Sequence, residues 1–201
     1  MKSLYLRSSV ALACALGLAS CGGGNDNLLL GGYVFGLLKD GLVVQNNGGP
    51  DLAIPRGATT FTFPERISSD SDFNVTIKAE PPSTKCEVVY GKGKSGAYSV
   101  TSVEIRCITT SYDLGGTISG LDSEGLVLIN GSVQQRIPAG ATSFKMTKYK
   151  ADGTPESGQV PDGQPYGITI LEQPAGRTCT VANGTGLMGS TAVTNVAVTC
   201  A

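Results

Sequence analysis

Histidine and tryptophan are both missing from this chain of 201 residues. Without histidine, the chain lacks the usual imidazole base and the commonest metal ligand. Charged residues make up 15% of the sequence and the formal net charge is −1, which is too small to attract nucleic acid or an anionic membrane surface. No serine lies in a Gly-x-Ser-x-Gly nucleophile elbow. We therefore expect no cofactor, no metal and no nucleic-acid partner.

The N-terminal region has the pattern of a targeting signal. Lys2 and Arg7 precede an apolar run over residues 10–18, which is too short to span a bilayer. The run closes on Leu-Ala-Ser-Cys, ending at Cys21, and three glycines follow. This pattern resembles the lipobox of bacterial lipoproteins. The resemblance implies removal of a signal peptide, residues 1–20, and a diacylglycerol on the Cys21 thiol.

The lipid would make a membrane the first partner of the protein. Several acyl chains on Cys21 hold a protein firmly, with residues 21–29 as a glycine-rich tether. Gly22, in place of an aspartate, resembles an outer-membrane sorting signal. We therefore expect a lipid-anchored protein of the cell envelope, on the periplasmic or surface face of the outer membrane. The alternative is an ordinary secretory signal that leaves Cys21 as a plain thiol.

The rest of the chain contains an internal repeat. The matching segments are GLVVQN at 41–46 with GLVLIN at 125–130, IPRGATTF at 54–61 with IPAGATSF at 137–144, and residues 75–107 with 168–200. The spacing between copies is 83 or 84 residues in the first two pairs and 93 in the third. The second copy therefore carries extra residues between Phe144 and Ile168. The pattern predicts two domains, 30–108 and 113–201, joined end to end by a short linker.

Within each copy, apolar residues recur at every second position. Val103, Ile105 and Cys107 alternate with polar residues, and Phe61 and Phe63 do the same. This period is typical of antiparallel strands with one buried face, and no segment after the signal peptide has a helical period. About seven such segments per copy predict an all-β protein of two tandem immunoglobulin-like antiparallel β-sandwich domains.

Four cysteines remain once the signal peptide is removed and Cys21 is lipidated. They are Cys86, Cys107, Cys179 and Cys200. Four cysteines allow three pairings, and the repeat favours one, because the separation is 21 residues in both copies. We expect Cys86–Cys107 and Cys179–Cys200, each joining the penultimate strand of its domain to the last. No Cys-x-x-Cys pair is present, so a zinc site is not expected.

The turn, core and cysteine residues together resemble a known family. GLVVxN, a Phe-rich strand, VTxxxxP before a cysteine and a VTNVxVxC ending resemble the tandem immunoglobulin-like repeats of proteobacterial surface and secreted lipoproteins. The resemblance covers the chain from Leu30 to Cys200, and the second copy fits better than the first. It implies an architecture and an envelope location, and it implies no established chemistry.

Two loops are candidates for a functional site. The acidic loop at residues 70–74 offers oxygen atoms, but it lacks the spacing of a calcium-binding EF-hand, and we expect a solvated turn. The extra segment of the second copy, residues 145–167, is the candidate binding loop. Its candidate contact residues are Lys148, Tyr149, Lys150 and Tyr166, because loops on a rigid scaffold often bind partners and tyrosine suits a contact surface. The alternative is a longer hairpin without function.

Two classes of function follow from these patterns. The first is a non-enzymatic module for binding, adhesion or structural support, whose protein or carbohydrate partner the sequence does not identify. The second is a small envelope hydrolase or sugar-processing enzyme on the same scaffold, which needs converging carboxylates or a Ser–Lys pair in a cleft. The lack of histidine and of a recognised catalytic motif favours the non-enzymatic module.

Overall fold

The computed structural model describes residues 27–201, and every regular element in this range is a β-strand. The predicted all-β sandwich fold is therefore confirmed. None of these residues belongs to a helix that is long and apolar enough to cross a membrane. The predicted signal peptide, Cys21 and the tether up to residue 26 lie outside the described residues.

The first repeat forms two facing sheets. Its strands are β1 (Leu30–Phe35), β2 (Leu42–Asn46), β3 (Leu52–Ile54), β4 (Thr60–Thr62), β5 (Asp72–Ala79), β6 (Thr84–Val89), β7 (Lys92–Lys94) and β8 (Val100–Thr109). One sheet has the strand order β4-β1-β8-β6 and the other has the order β3-β2-β5-β7. Leu28, two residues before the predicted domain boundary, is buried and already pairs with Ile67.

The second repeat has the same arrangement with additions. Its strands, with β9 in the linker, are β9 (Ser111–Tyr112), β10 (Leu114–Ser119), β11 (Val127–Asn130), β12 (Val133–Arg136), β13 (Ser143–Lys145), β14 (Thr147–Tyr149), β15 (Pro155–Ser157), β16 (Val160–Pro161), β17 (Pro165–Glu172), β18 (Cys179–Ala182), β19 (Thr185–Leu187) and β20 (Val193–Cys200). The main sheets have the orders β13-β10-β20-β18 and β12-β11-β17-β19. The added strands form two short pairs, β14 with β15 and β16 with β9.

Each pair of main sheets encloses a hydrophobic core built from residues of its own repeat. Val103 and Ile105 of β8 are fully buried, and Val196 and Val198 occupy the equivalent positions of β20. The alternation of apolar and polar residues therefore predicted the buried face of the last strand correctly. Phe61 is buried on the neighbouring part of the first core, also as expected.

The first strand of each repeat pairs in parallel with the last strand. β1 is parallel to β8 and β10 is parallel to β20, whereas the other pairs of the main sheets are antiparallel. The prediction of antiparallel strands was therefore incomplete. Strands at opposite ends of a repeat are not joined by a hairpin, so their relative direction is not fixed by a local turn.

Glycine makes this parallel pairing possible. A Cβ atom on Gly32 would lie 1.8 Å from the backbone oxygen of Val103. The second repeat has the same contact at the same distance, between Gly116 and Val196. Both glycines belong to a Leu-Gly-Gly-x-x-x-Gly sequence that opens each first strand. The shared sequence therefore marks a position at which two backbones approach too closely for any side chain.

The predicted disulfides are present, and each lies within one sheet. Cys86 of β6 is directly opposite Cys107 of β8, and Cys179 of β18 is directly opposite Cys200 of β20. The prediction that each bridge joins the penultimate strand to the last is wrong, because β7 or β19 comes between the bridged strands along the chain. These two short strands contain glycine and no apolar alternation, so the sequence pattern did not indicate them.

Replacing Gly116 by alanine is expected to lower the free energy of unfolding by at least about 2 kcal/mol, because the new methyl group overlaps a backbone oxygen that cannot rotate away. Gly167→Ala is the matched control, because a Cβ atom at that position of β17 meets open space. Urea denaturation of the two variants measures the difference. Equal stability of the two proteins would contradict the close approach of β10 and β20.

Candidate binding surfaces

The first part of the candidate binding loop forms a hairpin, in which β14 pairs with β15. Lys148, Tyr149 and Lys150 are exposed on it, and Lys148 lies 3.6 Å from the carboxylate of Glu156. Gly153 has a φ of 79° at the turn of this hairpin. The hairpin therefore presents two lysines and a tyrosine to solvent, as the prediction required of a contact surface.

Tyr166 lies apart from the hairpin residues. It is part of β17 and packs, partly buried, against the core of the second repeat. A Cβ atom at Gly186 of the neighbouring strand would lie 2.7 Å from the Tyr166 hydroxyl oxygen. The side chain therefore covers the edge of a core, and the structure does not group it with Lys148, Tyr149 and Lys150.

The second part of the candidate loop contacts the first repeat. β16 pairs with β9 in the linker, and the backbone nitrogen of Asp162 donates to the carbonyl oxygen of Thr110 at 2.9 Å. The Asp162 carboxylate lies 2.9 Å from the ammonium nitrogen of Lys39 and accepts a hydrogen bond from the Ser83 hydroxyl. We call Lys39, Ser83 and Asp162 the inter-repeat contact. It joins two loops of the first repeat to the extra segment of the second.

The charged side chains of the inter-repeat contact are largely shielded from solvent. The side chain of Asp162 is 10% exposed and that of Lys39 is 22% exposed. The Ser83 hydroxyl and the Lys39 ammonium group stabilise the carboxylate and hold the pKa of Asp162 below its ordinary value. A buried charge that loses its partner is strongly unfavourable. The turn at Asp162 and Gly163 therefore connects the two repeats.

Serine hydroxyl groups hold the acidic loop near residue 70 as a turn. Asp70 has a left-handed φ of 54°, and the Ser71 nitrogen donates to the Ser95 hydroxyl oxygen at 3.2 Å. The Ser95 hydroxyl in turn donates to the Ser68 carbonyl oxygen at 2.7 Å. Within residues 27–201, no three His, Cys, Asp or Glu side chains form a group that could hold a metal ion.

The structure also shows an exposed aromatic pair that the sequence analysis did not identify. Tyr33 and Phe35 are 51% and 50% exposed on the outer face of the sheet β4-β1-β8-β6. Their ring centroids are 6.4 Å apart and the ring planes differ by 28°. Adjacent exposed aromatic rings indicate a contact surface. In the sequence, Tyr33 and Phe35 lie on either side of the aliphatic Val34, and this alternation could have placed both rings on one face of a strand.

Polar side chains of the two neighbouring strands lie on either side of the two rings. Glu104 of β8 is opposite Tyr33, and Arg106 is opposite Phe35. Arg106 donates to the Glu104 carboxylate from Nε at 3.0 Å and from Nη2 at 2.6 Å, which raises the pKa of Arg106. On the other side of β1, Thr60 is opposite Tyr33. We call Tyr33, Phe35, Thr60, Glu104 and Arg106 the aromatic face.

The second repeat carries small side chains at the equivalent positions. Thr117 and Ser119 of β10 occupy the places of the two rings. Ala197 and Thr199 of β20 are opposite them and occupy the places of the ion pair. Since both repeats have the same strand pairing around this position, the fold does not require aromatic side chains there. The rings of the first repeat are therefore an addition to the common framework.

Neither models of known protein families nor curated proteins match this chain. Function is therefore inferred from the inter-repeat contact and the aromatic face themselves.

Replacing Asp162 by asparagine is expected to destabilise the protein at neutral pH, because Lys39 loses its charged partner. The pKa of Asp162 is lower in the folded protein than its ordinary value of 3.8. The advantage of the wild type is therefore fully present above that ordinary value and is lost as the pH falls through the lower, folded value. Urea denaturation between about pH 7 and pH 2 measures this difference.

Glu156→Gln is the matched control for this experiment, because it makes the same acid-to-amide change on the exposed hairpin. It is expected to leave stability nearly unchanged at all these pH values. A loss of stability in Asp162→Asn that is no larger than in Glu156→Gln would contradict a stabilising inter-repeat contact.

Proposed function

We propose that the protein is a lipid-anchored, non-enzymatic binding module of the bacterial cell envelope, held at the outer membrane through Cys21. The aromatic face of the first repeat is its binding surface. The observation that carries the proposal is the exposed pair Tyr33 and Phe35 on β1, a strand held by neighbours on both sides. The lipobox pattern supports the anchor, and disulfide bonds suit an oxidising compartment.

The anchor would keep the first repeat close to the membrane. Six residues, 22–27, separate Cys21 from Leu28, which is the first paired residue within the described range 27–201. A chain of this length reaches at most about 25 Å when fully extended. The ligand of the aromatic face is therefore a component of the envelope or of its immediate surroundings.

We infer that the role of the second repeat is to hold the first repeat in place. At the positions equivalent to the aromatic face it carries small side chains. Its extra segment holds Lys39 and Ser83 of the first repeat through Asp162. An ion pair between the repeats limits their relative motion, so the second repeat restrains the orientation of the first. The hairpin with Lys148, Tyr149 and Lys150 offers a second contact surface for the same or another partner.

The enzymatic alternative has less support. A catalytic acid needs a pKa raised towards the working pH, and a glycosidase needs two carboxylates facing one cleft. Several acidic side chains of this protein are instead bonded to basic ones: Asp51 to Lys78, Glu80 to Lys85, Asp113 to Lys145 and Asp122 to Arg177. The pKa of Asp113, for example, is lowered by Lys145 and then by Gln159. Such pairing favours a structural role for these carboxylates.

Replacing Cys21 by serine is expected to move the protein from the detergent phase to the aqueous phase of a Triton X-114 partition, because serine cannot accept the lipid. Cys14→Ser is the matched control, since residue 14 lies within the predicted signal peptide and its change should leave the partition unaltered. A Cys21→Ser protein that stays in the detergent phase would show that the anchor lies elsewhere.

The binding surface is tested by photo-crosslinking in intact cells. A benzoylphenylalanine in place of Phe35 is expected to form crosslinked adducts, because half of the Phe35 side chain is open to a ligand. The same photo-reactive residue in place of Ser119, the equivalent position of the second repeat, is the control and should form few. Equal or absent adducts at both positions would reject the aromatic face as the binding surface.

A further inference from the structure

We propose that the aromatic face binds an uncharged polysaccharide chain, whose pyranose rings stack on Tyr33 and Phe35. This inference rests on the proposed binding function and adds to it the chemical class of the ligand. It depends on three properties of the face: the arrangement of the rings, the hydrogen-bonding groups beside them and the balance of charge.

The two rings form a platform along β1. About half of each side chain is exposed, and the ring planes are within 28° of parallel at a centroid distance of 6.4 Å. A pyranose ring has C–H groups on its faces, and these pack against an aromatic face while the hydroxyl groups point sideways. A polymer presents such faces on successive sugar units. Two adjacent rings therefore suit a chain better than a single sugar.

The polar groups beside the rings match sugar hydroxyl groups, which both donate and accept hydrogen bonds. The Glu104 carboxylate accepts, the Arg106 guanidinium donates and the Thr60 hydroxyl does both. The Glu104 and Arg106 side chains are 25% and 52% exposed, and Thr60 is also exposed. Arg106 and Glu104 hold each other through two hydrogen bonds, so they present these groups in a fixed position.

The charge of the face does not suit a strongly acidic or basic ligand. Glu104 is paired with Arg106, and on the neighbouring strand β6 the outer face adds Glu87 and Lys85, one charge of each sign. A surface with balanced charges neither attracts a phosphate group nor steers a charged peptide. β1 also lies inside its sheet, between β4 and β8, so a peptide cannot add to it as an extra strand.

The second repeat supplies the variant that tests the inference. Tyr33→Thr combined with Phe35→Ser gives the first repeat the residues that the second repeat has at these positions, Thr117 and Ser119. The double variant keeps the polar groups of Thr60, Glu104 and Arg106 and removes the stacking platform. Since the same strand pairing already accommodates these residues, the double variant is expected to melt at the same temperature as the wild type.

The experiment uses the mature two-repeat protein and three uncharged pyranose polymers as probes: cellulose, chitin and amylose beads. Depletion of the protein from solution gives the affinity. The wild type is expected to bind at least one polymer, and the Tyr33→Thr/Phe35→Ser protein to bind it about tenfold or more weakly, because buried aromatic residues dominate such contacts. Tyr98→Thr removes an aromatic ring that is 82% exposed in the loop before β8, and it should bind as the wild type does.

Two results would overturn the inference: no binding of the wild type to any of the three polymers, or equal binding by the double variant. If crosslinks form at position 35 while no polymer binds, the face binds a ligand of another class, and the proposed function remains. If crosslinks are also absent, both proposals are wrong. Should the double variant unfold, the single change Phe35→Ser takes its place and has the same expected direction.

Discussion

The close approach of the first and last strands is the contact on which the rest of each repeat depends. Gly32 and Gly116 allow a backbone to lie where a side chain would overlap a carbonyl oxygen. The last strand is then held on one side by this parallel pairing and on the other by a disulfide to β6 or β18. A domain of about 80 to 90 residues has a small core, so both attachments contribute to its stability. The first strand, fixed in the middle of its sheet, becomes a rigid support for whatever its outer side carries.

Much of this framework could be predicted from the sequence, because it depends on local patterns. Val103 and Ile105 indicated a buried strand face by their period, and the equal cysteine spacing in two copies identified both bridges. Strands β7 and β19 were missed because they are short and lack apolar alternation. The parallel pairing was also missed, because the relative direction of two strands distant in the chain is not encoded in a local sequence pattern. The Leu-Gly-Gly sequence shared by both copies was nevertheless present in the sequence.

The candidate site could be predicted only in part, for a different physical reason. The unequal spacing of the two copies located the extra segment between Phe144 and Ile168, but the partners of Asp162 are distant in the chain. No sequence pattern indicates that Lys39 and Ser83 contact Asp162. Tyr166 looked like a contact residue because tyrosine suits both a core edge and a surface, and only its packing decides between them. Tyr33 and Phe35 were recognisable in principle, because their period sets them opposite a buried Val34.

The two repeats share a framework, and their differences fall where the framework imposes no constraint. The inward side chains of the first and last strands fill a core, and the glycines of the first strands allow close pairing, so neither set is free to vary. Neither constraint applies to the outward side chains of β1 and β10. At these positions the first repeat has aromatic rings and the second has small hydroxyl-bearing side chains. The loop before β17 is equally free, and the second repeat uses it to contact the first through Asp162. The proposed binding surface in one repeat and the contact that the other makes with it therefore lie outside the shared framework, and neither requires a change to the core.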